Sequence, residues 1–292
     1  MRWGSEEWFR NKIWSQGVDD PGAYFSHAKN GYQRYRHQQL VSLARNVGLF
    51  SGVSGIRIGE VGCGTGNLLK QFKDGSDASY AIGMDFVPEA ISVARKAYPD
   101  IEFAVGRLPQ LPTEMKDMDL IIASEVLYYL DEDGRDAAVR SLWRALKPGG
   151  SLIFSSVLGG RYFDERSALH LLQTVFDITA ISFQYNRLYH RLVQPATLIS
   201  AAKFRLYAGT EGVDDAGDEF MDSYRKLASN PVIRAGIYTM AALFSPILTW
   251  SWLPHVCNGI AERTGPERFK SNIVIVARKP RDALTDYGHG DA

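Results

Sequence analysis

The chain has 292 residues, 45% of them hydrophobic and 23% charged, with a formal net charge of zero. That is enough for one large domain or a core with an elaborated cap, and the balanced charge excludes a global pull toward nucleic acid or an acidic membrane. The two cysteines, Cys63 and Cys257, form no CxxC or Cys/His cluster, which argues against a disulfide framework or a metal site and for a reducing, cytoplasmic setting.

The N-terminus, MRWGSEEWFRNKIW, carries acidic residues and no continuous apolar run, so it does not read as a signal peptide. Trp3, Trp8, Phe9, Trp14, Tyr24, Phe25, Tyr32 and Tyr35 recur through the first segment. HQQLVSLARNVGLF then shows apolar spacing near three and four, which predicts a helix stopped by Gly48 and Ser51-Gly52. Residues 1–50 therefore read as an N-terminal helical cap that packs on the core or closes over a ligand as a lid.

Ile56 to Leu69, IRIGEVGCGTGNLL, reads as a short apolar strand, a glycine-dense turn and the opening of a helix. Glycines let the backbone turn sharply and leave no Cβ in the way of a ligand. The first N–H groups of the helix lack intrahelical partners and face whatever sits in the turn. Glu60 puts a carboxylate beside it. A nucleotide-like ligand is expected here.

An alternation of short apolar runs and helical patterns follows, as in a parallel sheet with helices on both faces. Strands are predicted at 56–61, 79–85, 101–106, 118–124, 151–157, 178–186 and 271–279. Helices are predicted from Asn67, from Pro88 (where a missing N–H costs nothing), around Arg135–Leu146 and over Phe163–Val175. Lys147-Pro148-Gly149-Gly150 is expected to stop the third of these.

About 80 residues before the last strand do not follow this pattern. They include a helical stretch at Asp218–Ala228 and a run from Ala235 through Ala261 without Asp, Glu, Lys or Arg. The run is long enough by hydropathy to span a bilayer, but Pro246 and Pro254 interrupt it. Buried helices of a substrate cap are the favoured reading; an interfacial membrane contact anchored by Trp250 and Trp252 is the second. The expected division is a cap at 1–50, a core at 51–193, a helical apolar insertion at 194–270, and a last strand with a polar tail at 271–292.

Two ligand classes compete at the glycine turn. A dinucleotide fingerprint is GxGxxG, whereas the glycines here are Gly62, Gly64 and Gly66, followed by Asn67. Asp85 ends the second strand, where a carboxylate can hold a ribose diol. With EVGCGTGN and then GMDFVPEA in place, residues 56–157 and the last strand resemble the class I S-adenosylmethionine-dependent methyltransferases. The KPGG turn before the fifth strand fits that resemblance. DLIIASEVLYYL is most similar to the subgroup related to nodulation protein S, an N-methyltransferase acting on a chitooligosaccharide amine.

The resemblance implies an α/β fold: a Rossmann-like seven-stranded methyltransferase sheet with helices on both faces. It implies S-adenosyl-L-methionine as cofactor and S-adenosyl-L-homocysteine as product. Gly62, Cys63, Gly64 and Gly66 would line the methionine part, and Glu60 would orient its amino group. Asp85 would hold the ribose hydroxyls, Phe86 would lie against the adenine, and Leu108 would complete the adenine slot. Ser124 would offer its carbonyl near the amino group. Arg107 stands where the family commonly has Asp, so adenine recognition would rest on backbone and apolar contacts.

Methyl transfer from a sulfonium is an in-line displacement, so the work is positioning and desolvation. An amine acceptor must be neutral, and a hydroxyl needs a base. Glu125, directly after the fourth strand, is the leading candidate, with Tyr128 and His190 as further catalytic candidates; Tyr129, His170, His27 and His37 rank below them. The fourth strand has no Pro-Pro-aromatic motif, and there is no basic stripe, so a nucleic-acid acceptor is not expected. The expected reaction is transfer to an N or O atom of a small molecule, sugar or lipid-linked glycan. A dinucleotide-dependent oxidoreductase and a non-catalytic, methyltransferase-like binding subunit are the alternatives.

Overall fold

A computed structural model describes residues 30–51, 54–160, 162–210 and 230–281. The aromatic positions from Trp3 to Phe25, His27, the Asp218–Ala228 stretch and the tail beyond 281 lie outside the described residues.

The described chain divides into two compact units. The first comprises residues 37–185 and 270–292 and holds a seven-stranded sheet of order β3-β2-β1-β4-β5-β7-β6. Its strands are β1 Ile56–Val61, β2 Ala78–Asp85, β3 Glu102–Val105, β4 Met118–Ser124, β5 Leu146–Val157, β6 Asp177–Gln184 and β7 Asn272–Arg278. β1 to β5 pair in parallel, while β7 runs antiparallel between β5 and β6. All seven expected strands form. The chain reverses direction along the sheet at β1/β4, the switch point where open α/β sheets bind ligands beyond the strand C-termini.

Helices α1 Gly31–Asn46, α2 Asn67–Asp74, α3 Pro88–Ala97, α4 Glu132–Ala145 and α5 Glu165–Gln173 connect these strands; of α1, residues 37–46 belong to this unit. Each helix buries one face. Leu68, Leu69 and Phe72 of α2 join Leu40 and Ala44 of α1 and Ile58, Ile122 and Val276 of the sheet in one core cluster. Pro88 opens α3. Asp131 caps α4 by accepting from Gly134 N at 3.0 Å, and Asp164 with Ser167 forms a capping box on α5.

One boundary differs from expectation. The fifth strand begins at Leu146, and KPGG lies inside it. Leu146 pairs with Met118 and Ser151 with Leu120, so the residues between bulge out of the ladder. Gly149 takes φ +78° there and donates from its N–H to Lys279 O at 3.0 Å. A turn signature and a bulge need the same left-handed glycine, so the sequence does not separate them.

The second unit comprises residues 1–36 and 186–269. Its described helices are the start of α1, then α6 Arg187–Thr210, α7 Pro231–Phe244, a 3-10 turn at Ser245–Thr249, α8 Trp252–Thr264 and the single turn α9 Pro266–Phe269. A small core of Tyr189, Val193, Ala196, Leu248 and Cys257 holds them, with Tyr32 stacked on Tyr189 at 5.4 Å. A Cβ on Gly31 would fall 2.5 Å from the Trp250 carbonyl carbon, so only glycine admits this approach.

The unit boundaries depart from the sequence-based division at two places: half of α1 belongs with the sheet, and residues 186–193 belong with the helical unit. The reading of 235–261 as buried helices is corrected. Leu248, Pro254, Cys257 and Ala261 are buried, but only Ala241 of α7 is, and the Pro231–Thr249 segment is 12% buried despite a mean hydropathy of 1.4.

Candidate cofactor site

The glycine turn is held from two sides. Gly62 N and Cys63 N donate to Met84 O at 2.7 and 3.0 Å, tying the end of β1 to β2. The Asp85 carboxylate then accepts from Gly64 N at 2.8 Å and from Val87 N at 3.0 Å. One side chain therefore clamps the turn and orders the entry to α3. Charge-assisted bonds of this kind are the strong ones, and each carboxylate oxygen keeps acceptor capacity for a further donor.

Gly62, Gly64 and Gly66 all have positive φ, at 69°, 53° and 79°. At Gly66 the need for glycine is steric as well, because a Cβ would lie 2.7 Å from the Phe103 ring. A Cβ on Gly64 would meet nothing within 4 Å. Gly64 thus presents bare backbone to open space, as a cradle for a ligand requires.

Glu60 is buried at the end of β1. Burial pushes its carboxyl well above the usual range, the Leu69 backbone N–H in the first turn of α2 pulls it down, and Asp85 adds to the rise. Its Oε2 is buried without a hydrogen-bond partner. An orphaned carboxylate oxygen costs about 1–3 kcal/mol, and such a group beside an open glycine cradle fits a cationic ligand such as an amino-acid ammonium. Asp85 is also raised, chiefly by burial, against the Val87 and Gly64 N–H groups that hold it down.

Cys63 is buried, and its thiol is pushed well up by burial, then by Asp85 and Glu60. A thiol held protonated is a small packing group, not a nucleophile. Phe86 carries the Arg107 guanidinium 4.6 Å over its ring. Leu108 is buried.

Beyond β4, Glu125 takes φ +58°, an uncommon conformation for a non-glycine residue. Its N–H donates to Ser155 O at 2.9 Å. Its carboxylate accepts from Val157 N at 3.0 Å, Asn272 Nδ2 at 3.2 Å and the Ser155 hydroxyl at 3.3 Å. Ser124 and Ser155 share a hydroxyl contact at 2.8 Å, so Ser124, Ser155 and Glu125 form one chain. Tyr128 is buried, with its ring edge-on to Tyr162 at 4.9 Å and tilted against Tyr129 at 4.5 Å.

The sheet unit thus brings together Glu60, the three glycines, Cys63, Asp85, Phe86, Leu108, Ser124, Glu125 and Tyr128. His190 belongs to the helical unit. Its imidazole packs edge-on to Tyr32 at 4.6 Å and to Tyr189 at 5.4 Å. His190 as a whole is exposed, but loss of water around its ring between Tyr32 and Tyr189, and then the Arg36 charge, pull the imidazole down, to about 4. His37 lies 3.3 Å from Gln71 Nε2, between α1 and α2, and His170 is exposed on α5.

Three contributors escape a sequence reading. Asn272 reaches Glu125 from β7 across 147 positions. Tyr98 donates its hydroxyl to Asn67 Oδ1 at 2.8 Å, and Asn67 donates to the Thr65 hydroxyl at 2.7 Å, bracing the turn. None carries a local signal.

Residues 58–150 match the model of a methyltransferase domain. Over these residues the chain carries a methyltransferase domain. Nodulation protein S of Rhizobium tropici is 34% identical over 131 residues, which are 44% of this chain and 52% of that protein. Malonyl-[acyl-carrier protein] O-methyltransferase of Serratia marcescens is 27% identical over 136 residues, covering 47% and 52%. The chain spans about half the length of these curated relatives. Among solved structures, a Haemonchus contortus phosphoethanolamine N-methyltransferase superposes with a TM-score of 0.54 at 15% identity, over 96% of this chain and 61% of that one. That likeness is one of fold. The methyltransferase domain coincides with β1 to the start of β5, the part that holds the glycine turn, Asp85 and Glu125.

Proposed function

We propose that the whole chain is a methyltransferase that moves a methyl group from S-adenosyl-L-methionine to an N or O atom of a small-molecule, sugar or lipid-linked acceptor. The observation that carries this reading is the pairing of the orphaned Glu60 Oε2 with the open face of Gly64. One group suits an ammonium and the other close backbone approach, four residues apart in the turn that ends β1. A dinucleotide supplies no ammonium for Glu60. The relatives act on both N and O atoms by name, which supports the broad acceptor class.

When bound, S-adenosylmethionine supplies an electrophilic methyl group, so this chain's residues need only bind, orient and dehydrate the partners. Glu60 would take the ammonium, and Asp85 the ribose hydroxyls on the lone pairs that Gly64 and Val87 leave free. Phe86 and Leu108 would flank the adenine, and Ser124 would offer its carbonyl. On the acceptor side, Glu125 is held by three donors, so its carboxylate is aimed before any acceptor arrives. It would receive the proton of an acceptor N–H or O–H, with Tyr128 walling that side. His190, held neutral, is a base that would act only from the helical unit.

Calorimetry with S-adenosylhomocysteine and with NAD tests the donor. Binding of the former alone is expected, and binding of NAD alone overturns the reading. Incubation with labelled S-adenosylmethionine and a panel of amines, sugars and lipids then reports the acceptor as a mass gain of one methyl.

A further inference from the structure

The helical unit displays what the sheet unit hides. α7 is apolar nearly all round, PVIRAGIYTMAALF, yet Val232, Met240 and Leu243 are 77%, 42% and 68% exposed. A helix that is hydrophobic on every side needs cover from protein or lipid. α8 repeats the pattern on one stripe: Trp252, Val256 and Ile260, at i, i+4 and i+8, are all about half exposed, while Cys257 and Ala261 face inward. Trp250 and Trp252 stack at 5.6 Å, both open to solvent.

Basic residues flank the start of α6 and α7, while the end of α8 and α9 pair acid with base, Glu262 with Arg263 and Glu267 with Arg268. From Asn186 to Thr210 the charged residues are Arg187, Arg191, Lys203 and Arg205, all basic. Arg234 is the one charge between 230 and 261. Arg187, Arg191, Arg234 and Arg263 are exposed. The acidic residues from Glu211 to Asp222 lie outside the described residues. Exposed apolar helices with paired tryptophans and basic flanks are the makings of an interfacial anchor on anionic lipid.

α7 alone, at 14 residues, reaches about 21 Å, short of a hydrocarbon core of ~30 Å. With the 3-10 helix Ser245–Thr249 the span is 19 residues, long and apolar enough by length and composition to cross a membrane; Pro246 breaks its regular α-helical bonding, and we take it as lying in the interface.

We propose that α7, the Trp250/Trp252 pair and the α8 stripe dock the protein on an anionic lipid bilayer, lying in the plane of the interface. The test is sedimentation of the full-length protein with vesicles of phosphatidylcholine alone and of phosphatidylcholine with phosphatidylglycerol. Capture by the anionic vesicles, weakened by salt, is expected. Leu243→Glu and Trp252→Glu, each at an exposed position, are expected to lower capture at least tenfold while S-adenosylhomocysteine affinity stays unchanged. Absence of capture overturns the proposal, as does capture unaffected by both variants. Equal capture by neutral vesicles overturns the anionic assignment. A dimer that Leu243→Glu dissociates, without vesicle binding, makes a second copy of this chain the occupant instead.

Discussion

The two units treat apolar residues in opposite ways. In the sheet unit Ile58, Leu69, Phe72, Ile122 and Val276 are wholly buried, and among its described residues the large hydrophobics left exposed are Val105 and Ile181. In the helical unit, Leu243, Trp252 and Val256 lie in solvent around a core of five buried side chains. Sequence hydrophobicity does not say which is covered: the Pro231–Thr249 span has a mean hydropathy of 1.4 and is only 12% buried. The difference is one of neighbours: a strand between two others buries both faces, whereas a helix at the margin of a small cluster has only one face to hide.

The sharpest way to break this contrast is at the turn. Gly66→Ala must fit a Cβ against the Phe103 ring at φ +79°. We expect a loss of about 3 kcal/mol or more, read by chemical denaturation, with cofactor binding abolished. Next comes a matched pair. Leu69→Ala, in the sheet core, should cost about 2–5 kcal/mol. Leu243→Ala, on α7, should cost less than about 0.5 kcal/mol. Equal costs would mean that α7 is covered in solution. Asp85→Ala should weaken S-adenosylhomocysteine about a hundredfold, roughly 2.7 kcal/mol, because it removes both the clamp on Gly64 and the proposed ribose acceptor.

A pH series sharpens the electrostatic side. Glu60 and Asp85 are raised in the folded protein, so the native state keeps protons that the unfolded chain gives up. Their contribution therefore falls as pH rises from the unfolded carboxylate range toward the raised native values. His190 acts oppositely, since its native value of about 4 lies below 6.5: the unfolded chain takes up protons first as pH falls. Glu60→Gln isolates the first effect. Relative to wild type it should gain stability as pH rises, in thermal melts, while losing cofactor affinity. Affinity of the wild type for S-adenosylhomocysteine should weaken as pH falls, because Glu60 must ionise to hold the ammonium. Within the sheet unit the smallest effect is expected at Tyr98→Phe, about 1 kcal/mol, the net value of its bond to Asn67.

Much of the cofactor site is readable without coordinates because it is local. Glu60 through Gly66 are consecutive, and Asp85 ends the neighbouring strand, so parallel pairing of β1 with β2 brings them together automatically. The Asp85–Gly64 bond was not readable, since a ribose acid and a turn clamp look the same in sequence. Asn272 is hidden for a different reason. β7 inserts antiparallel between β5 and β6, and nothing near position 272 announces which strand end it will face.

The glycine spacing, the acid after β2 and the strand–helix alternation were enough to specify the α/β fold and a nucleotide-like ligand, because each is a short-range backbone requirement; the methyl donor followed from the resemblance these motifs carry. Only the tertiary structure decided the rest: that KPGG bulges within β5, that Glu125 is fixed by three donors from two strands, β5 and β7, and that most of the uncharged run lies exposed. Those outcomes depend on which segments meet. An apolar helix carries the same residues whether a core or a solvent surrounds it, and burial is a property of its neighbours.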